Sequence, residues 1–345
     1  MIKIAIVTRP QNSSPRILAE TLQQFLSNCN TKNQVFYRVN TFKRLIKYKD
    51  VKHKYKFFQW VVYKMIFYVR DKMFIRRLKS YDAIIISDCT PISFLKETYN
   101  IEKLRKIMGA IPIIFYEVYY LANAPTQIEA LQKMNQPLFE RFNWHLSVTN
   151  VTEIKSKVSS QWSHIGLYLK GSGLKPVEKK RHLAIVDFAQ PGHEYFREQQ
   201  ISILEQLKIP YISLKGRFTI EEIRNIYKEA TFYFMQSSES FGLPIAECLS
   251  CGSYILTPDS SWPMSWRLDE NPTVHGPGIL ADCFIVYDGA EDLKKKLEKI
   301  MKDYDFIRSP QEVFDIFFRY YQTFYEGSQI ALIDLLQRIE SQNLN

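Results

Sequence analysis

Cysteine and histidine are scarce in this sequence, and neither is arranged as a scaffold. Five cysteines (Cys29, Cys89, Cys248, Cys251, Cys283), an odd and scattered set, exclude a disulfide framework. Cys248 and Cys251 form a CxxC, but it comes late in a short helical stretch closed by Gly252. No second Cys or His pair lies at zinc spacing, so both read as small buried helix residues. The six histidines (His53, His145, His164, His182, His193, His275) show no metal-ligand spacing either; His193, in a PGH that follows a strand, is the one with a claim on a phosphate group. Long apolar runs are also lacking. The longest, FFQWVVYKMIFYV, is broken by Gln59 and Lys64 and falls short of the about 20 residues of a membrane span. MIKIAIVTRP is too short for a signal peptide and reads as a first strand. No repeat of solenoid length is present. The expectation is a cytoplasmic protein, soluble or peripheral at the cytoplasmic membrane face.

What is present is enough for a real core: 46% of the 345 residues are apolar and 24% charged, a length suited to two domains. The net charge of +10 is uneven. Thirteen Lys or Arg and two Asp fall between Lys43 and Lys79, so this segment carries +11 and the remainder −1.

Apolar, β-branched runs alternate with helical spacings. IKIAIVT, QVFYRV, YDAIIISD, AIPIIFYEV, WHLSVTN and WSHIGLYL read as strands, with Ser13 or Ser14 able to cap a helix that has Pro15 in its first turn. LKGSGLKPVEKKR (169–181) reads as a linker. The alternation then restarts with HLAIVDFA, FREQQISILEQLK, YISLKG, IEEIRNIYKEA, TFYFMQ, IAECLSC, GSYILTP, FIVY and AEDLKKKLEKIMKDY. The fold class is therefore α/β: two doubly wound, Rossmann-like domains facing each other across a cleft. The first is expected over 1–171 and the second over 172–310, with a helical tail, 311–345, able to pack back on the first.

The segment SESFGLPIAE, 238–247, lies between strand TFYFMQ and helix IAECLSC. Gly242 permits a sharp bend and close ligand approach, and Pro244 suits a first helical turn. The amides of Ser240, Phe241, Gly242 and Leu243 would form an anion site with the helix dipole. Glu239 and Glu247 flank it with carboxylates that accept hydrogen bonds from hydroxyls. The arrangement suits a diphosphate between two hydroxylated rings, as in a nucleotide-sugar. By spacing alone an E-x7-E pair arises often by chance, with Glu239 then favouring the helix dipole and Glu247 solvated.

ESFGLPIAECLSCGSYILTP resembles the donor-binding signature of retaining GT-B glycosyltransferases of the group-1, family-4 type. The signature covers roughly twenty residues, and the order of elements agrees over much of the chain. The resemblance implies transfer of a sugar from a nucleoside-diphosphate sugar to a glycan or lipid-linked acceptor, with retention of configuration and no metal or other cofactor. It implies that Glu239 acts at the donor sugar as the catalytic carboxylate, that Glu247 holds the ribose, and that the amides around Ser240, Phe241, Gly242 and Leu243 hold the diphosphate, with Arg217 near the nucleobase. The sequence also departs from the family. RPQNSSP replaces a glycine pair, DSSWPMSW replaces another, and FYEVYY, with Glu117, stands where a His-Asp is frequent. The Arg and Lys expected after the first strand of the second domain are absent from VDFAQPGHEYFRE, so Lys215, Arg217 or Arg197 has to neutralise the leaving diphosphate. Two alternatives stay open: a catalytically silent GT-B subunit that binds a partner enzyme or glycan, and a GT-B sugar-nucleotide epimerase.

The basic segment 43–79 interleaves Lys and Arg with Phe, Tyr and Trp. It reads either as a basic helical face with its aromatics inside, or as a surface for anionic lipid. No nucleic-acid-binding motif accompanies it, so nucleic acid is not expected as a partner.

Overall fold

The computed structural model describes residues 1–9, 14–38, 57–88, 101–118, 142–149, 162–239, 241–259, 261–269 and 275–343. The chain forms two units: Met1–Leu167 with Ser328–Asn345, and Tyr168–Gly327.

The first unit is built on six parallel strands, β1 (Ile2–Val7), β2 (Thr31–Phe36), β3 (Ala83–Ser87), β4 (Ile113–Glu117), β5 (Trp144–Ser147) and β6 (Trp162–His164), in the order β2-β1-β3-β4-β5-β6. Strands β3 and β4 are buried along their whole length, as near-continuous apolar runs in a doubly covered parallel sheet should be. Helices α1 (Ser14–Ser27), α2 (Phe57–Leu78) and α3 (Ile101–Met108) belong to this unit. The last turns of α2 and α3 enter the core through Phe74, Ile75, Leu78, Leu104 and Met108, beside Ile84, Ile86 and Phe115. The second strand begins three residues before QVFYRV. At the sheet edge, pairing Ile2 with Thr31 through Val7 with Phe36 depends on backbone groups, so the polar Thr31–Asn33 stretch serves as strand.

The second unit carries β7 (Ala184–Val186), β8 (Tyr211–Ser213), β9 (Phe232–Phe234), β10 (Tyr254–Thr257), β11 (Ser261–Pro263), β12 (His275–Pro277) and β13 (Phe284–Val286). Five of these form a parallel sheet, β13-β10-β9-β7-β8, while β11 and β12 make a separate antiparallel pair that the alternation did not signal. The helices are α4 (Glu194–Gln206), α5 (Ile220–Glu229), α6 (Leu243–Ser250), α7 (Gly289–Asp303) and α8 (Ser309–Tyr325). The tail divides: α8 stays with the second unit, and only α9 (Gln329–Asn343) joins the first, where Arg338 lies 3.9 Å over the Trp144 ring. Gly252 explains why α8 stays. Its φ is +78°, and a Cβ there would sit 2.3 Å from the Pro310 carbonyl oxygen, so the start of α8 lies directly on this glycine.

The stretch read as a linker is partly packed. Leu169 and Leu174 are buried, and so is Lys179, whose Nζ donates to the carbonyls of Lys228 (2.7 Å) and Cys251 (2.9 Å). Those carbonyls end α5 and α6, where a cation satisfies orphan acceptors. Burial pushes the Lys179 amine down to about 8. Cys248 and Cys251 are both buried free thiols, held in the un-ionised form mainly by burial.

Candidate functional site

In the second sheet the chain leaves β7 toward β8 on one side and returns to β9 on the other. Their carboxyl ends therefore form a topological switch point, the usual ligand position in an open parallel sheet. Two loops meet there, 187–193 after β7 and 235–242 after β9. The Gln236 side chain bridges them: its Nε2 donates to the Asp187 carbonyl and its Oε1 accepts from the Gln190 amide, both at 3.3 Å. Gln190 Nε2 in turn donates to Glu239 Oε1 at 3.3 Å, and its Oε1 accepts from the Ser237 hydroxyl. Ser238 N reaches Asp259 Oδ2, at the end of β10, at 3.4 Å.

Asp187 and Glu239 both bring a carboxyl group to this network. Burial raises Asp187, against the pull of its hydrogen bonds from the Phe188 amide and the Tyr233 hydroxyl. Burial also raises Glu239, the Asp187 charge raises it further, and the Gln190 hydrogen bond lowers it less. Glu239 thus stands half-buried at a strand's carboxyl end, with a carboxyl group that gains a proton more easily than an exposed one.

The signature loop itself is fixed from beneath. Ser240 lies outside the described residues. Phe241 and Leu243 turn their side chains into the core, so what they offer a ligand is backbone. The Phe241 ring stacks on Trp266 at 5.4 Å, with Phe324 of α8 edge-on at 4.9 Å, and Trp266 Nε1 donates to the Phe241 carbonyl at 2.6 Å. Trp262 and Trp266 are both fully buried, so this stretch is a packed support. Gly242, at φ +69°, precedes α6; a Cβ there would lie 2.5 Å from Ile245 Cδ1 and 3.0 Å from Glu239 Cβ. Pro244 occupies the first turn, as its ring geometry favours.

The remaining predicted residues are arranged differently. Glu247 is 2% exposed and paired with Arg224 of α5, whose Nε and Nη2 approach Oε1 at 2.8 and 2.7 Å. Burial raises this carboxyl and Arg224 opposes the shift. Arg197 is buried; Nη1 donates to the Asp187 carbonyl at 2.9 Å and Nη2 to the Ser213 hydroxyl, tying β7 to β8. Lys215 and Arg217 are exposed in the turn after β8, which Gly216 enters at φ +77°. His193 is half-buried at the start of α4. Among the described residues hydrogen-bonded at the switch point the cation is Arg197, with both Nη atoms engaged. The crossing offers acceptors and amides suited to hydroxyls more than free charge for a phosphate. Sequence reasoning missed Asp187, Gln190, Gln236 and Arg224. Asp187 carried a signal, an acidic residue closing the apolar run LAIV; Arg224 carried none, because its partner lies 23 residues away.

In the first unit the equivalent crossing lies between β1 and β3, where Arg9 Nη2 pairs with Asp88 at 2.8 Å. Glu117 and His145, both fully buried, end β4 and lie in β5, with Nδ1 3.9 Å from Oε1. No group of three or more potential metal ligands occurs among the described residues.

Similarity to solved structures decides the fold. An alpha-glucosyltransferase in complex with UDP and a DNA oligomer containing an HMU base aligns over 98% of this chain and 99% of its own, at TM-score 0.57 and 8% identity. A Listeria monocytogenes protein described as a UDP-N-acetylglucosamine 2-epimerase covers 99% and 96%, at 0.56 and 13%. HepE of Anabaena, in complex with UDP and glucose, covers 93% and 96%, at 0.52 and 8%. The fold is GT-B. No protein-family model matches the sequence, and no curated protein matches it.

Proposed function

We propose that this GT-B protein is a glycosyltransferase that takes its sugar from a nucleoside diphosphate. The observation that carries the reading is the position of Glu239. It stands at the switch point of the second sheet, beside Asp187 and Gln190, directly before the glycine-opened helix α6. A uridine nucleotide is the first donor to test, because the similar structures are described with UDP.

In this reading Glu239 and Gln190 hold hydroxyls of the donor sugar, and the backbone from Phe241 to Leu243 faces the diphosphate at the amino end of α6. The anomeric carbon–phosphate oxygen bond breaks as the acceptor oxygen bonds to the same face of that carbon. The acceptor's hydroxyl proton passes to the leaving diphosphate, so configuration is retained and no cofactor is required. The acceptor is a glycan or a lipid-linked sugar. Lys215 and Arg217, exposed beside this sheet end, supply positive charge to the leaving group. In this reading the Glu247 carboxyl, held by Arg224, serves the ribose.

A second reading draws on Arg197. Because both its Nη atoms hold strand ends, a chain lacking another diphosphate cation would bind sugars without transferring them, as a silent GT-B subunit. Incubation with a panel of UDP-, GDP- and ADP-sugars and mixed glycan acceptors, read by product mass, separates the two. A mass gain of one sugar, lost in Glu239→Ala, supports the transferase. No product, together with no calorimetric response to UDP, GDP or ADP, supports the silent subunit, and release of an isomerised sugar-nucleotide without acceptor identifies an epimerase.

A further inference from the structure

Helix α2 of the first unit is apolar on two opposite faces. One face enters the core through Phe74, Ile75 and Leu78, with Asp71 also buried. The other points to solvent. Phe58, Val62, Met65, Val69 and Met73 recur at helical spacing along it and are 78, 42, 64, 53 and 66% exposed, and Ile66 flanks them at 51%. A stripe of this kind usually seeks a core, a partner or a membrane. This one is rimmed by cations. Arg70, Lys72, Arg76 and Arg77 are exposed on the same helix, and Tyr63 and Tyr68, both partly exposed, stand at its flanks. Seven further Lys or Arg occur at 43–56 in the sequence, against one Asp.

The charge selects the occupant. A second copy of the chain would bring two sets of these cations together across a symmetric contact, where like charges repel. An anionic lipid surface accepts both features at once: apolar side chains enter the headgroup boundary while arginines and lysines remain at phosphate level. Crossing is not the mode, since no helix among the described residues is long and apolar enough to span a membrane.

We propose that the outward face of α2 is a docking surface for an anionic membrane, on which the helix lies flat. This inference is independent of the transferase reading.

The test is co-sedimentation of the full chain with vesicles of phosphatidylcholine alone or mixed with phosphatidylglycerol. Binding is expected only to the anionic vesicles and should weaken as salt is raised. Removing two cations with Lys72→Gln and Arg76→Gln should weaken it about thirtyfold, at about a tenfold loss for each 1.4 kcal/mol and about 1 kcal/mol per basic residue. Met65→Gln with Val69→Gln, whose side chains leave the core untouched, should abolish it while circular dichroism stays unchanged. Equal pelleting with neutral vesicles, pelleting unaffected by either pair, or no pelleting would overturn the proposal. So would a dimer in solution that Met65→Gln with Val69→Gln dissociates, because the face would then belong to a second copy.

Discussion

The two sheets cross over in the same way and furnish their crossings differently. Between β1 and β3 of the first unit, Arg9 closes on the buried Asp88, and charge is balanced within the pair. Between β7 and β9 of the second unit, Asp187 and Glu239 stand together with amides and hydroxyls, and the nearby guanidinium of Arg197 is turned to the strand ends. Among the described residues, the first crossing sets one cation against one anion. The other holds one buried and one half-buried carboxyl group, each raised by burial, and Glu239 raised further by its neighbour's charge. Such an arrangement costs stability and persists at sites that serve a ligand.

Four substitutions would break or sharpen this contrast. Glu239→Ala should reduce sugar transfer about a thousandfold, the scale of a lost transition-state contact, while the melting temperature holds. Undiminished turnover would place the chemistry elsewhere. Arg224→Ala leaves the Glu247 carboxylate buried without its cation and should cost about 3 kcal/mol in urea unfolding at pH 7. Acid should shrink that deficit, because protonation removes the stranded charge. Introducing a cation at the second crossing with Gln190→Lys should tighten UDP binding about tenfold by calorimetry, a charge-assisted hydrogen bond's worth. Weaker binding would mean that the Gln190–Glu239 contact matters more than phosphate charge. The smallest effect is expected from Glu239→Gln, which should raise stability at pH 7 by about 1 kcal/mol. The folded-state carboxyl is raised above its unfolded value, so the native chain binds the proton more tightly and wild-type stability falls as pH rises through the folded value. The advantage of Gln should therefore vanish below the ordinary carboxylate range.

The local grammar around Glu239 was legible without coordinates. A buried strand, a glycine free to take positive φ, a proline fit for a first turn and a small-residue helix follow from properties of single residues and their neighbours. The same holds for the apolar runs of the parallel strands in both units, though not for the polar start of β2. Less could be read of the supports. DSSWPMSW looked only like a missing glycine pair, yet Trp266 backs Phe241 and donates to its carbonyl. The linker hid Lys179, a lysine buried to close two helix ends. The family resemblance made Glu247 a ribose ligand and left Arg197 as one candidate cation for the diphosphate; the folded chain engages both with protein partners.

The sequence by itself determined the alternation of strand and helix, the division into two sheets, and the chemistry available at the end of β9. These depend on period, β-branching and backbone permission, which act over a few residues. The tertiary structure alone decided that Arg224 meets Glu247, that Arg197 turns toward strand ends, and that α2 is apolar toward solvent as well as toward the core. Each of those is a contact, or a lack of one, between residues distant in sequence, and long-range packing sets it after the local elements have formed.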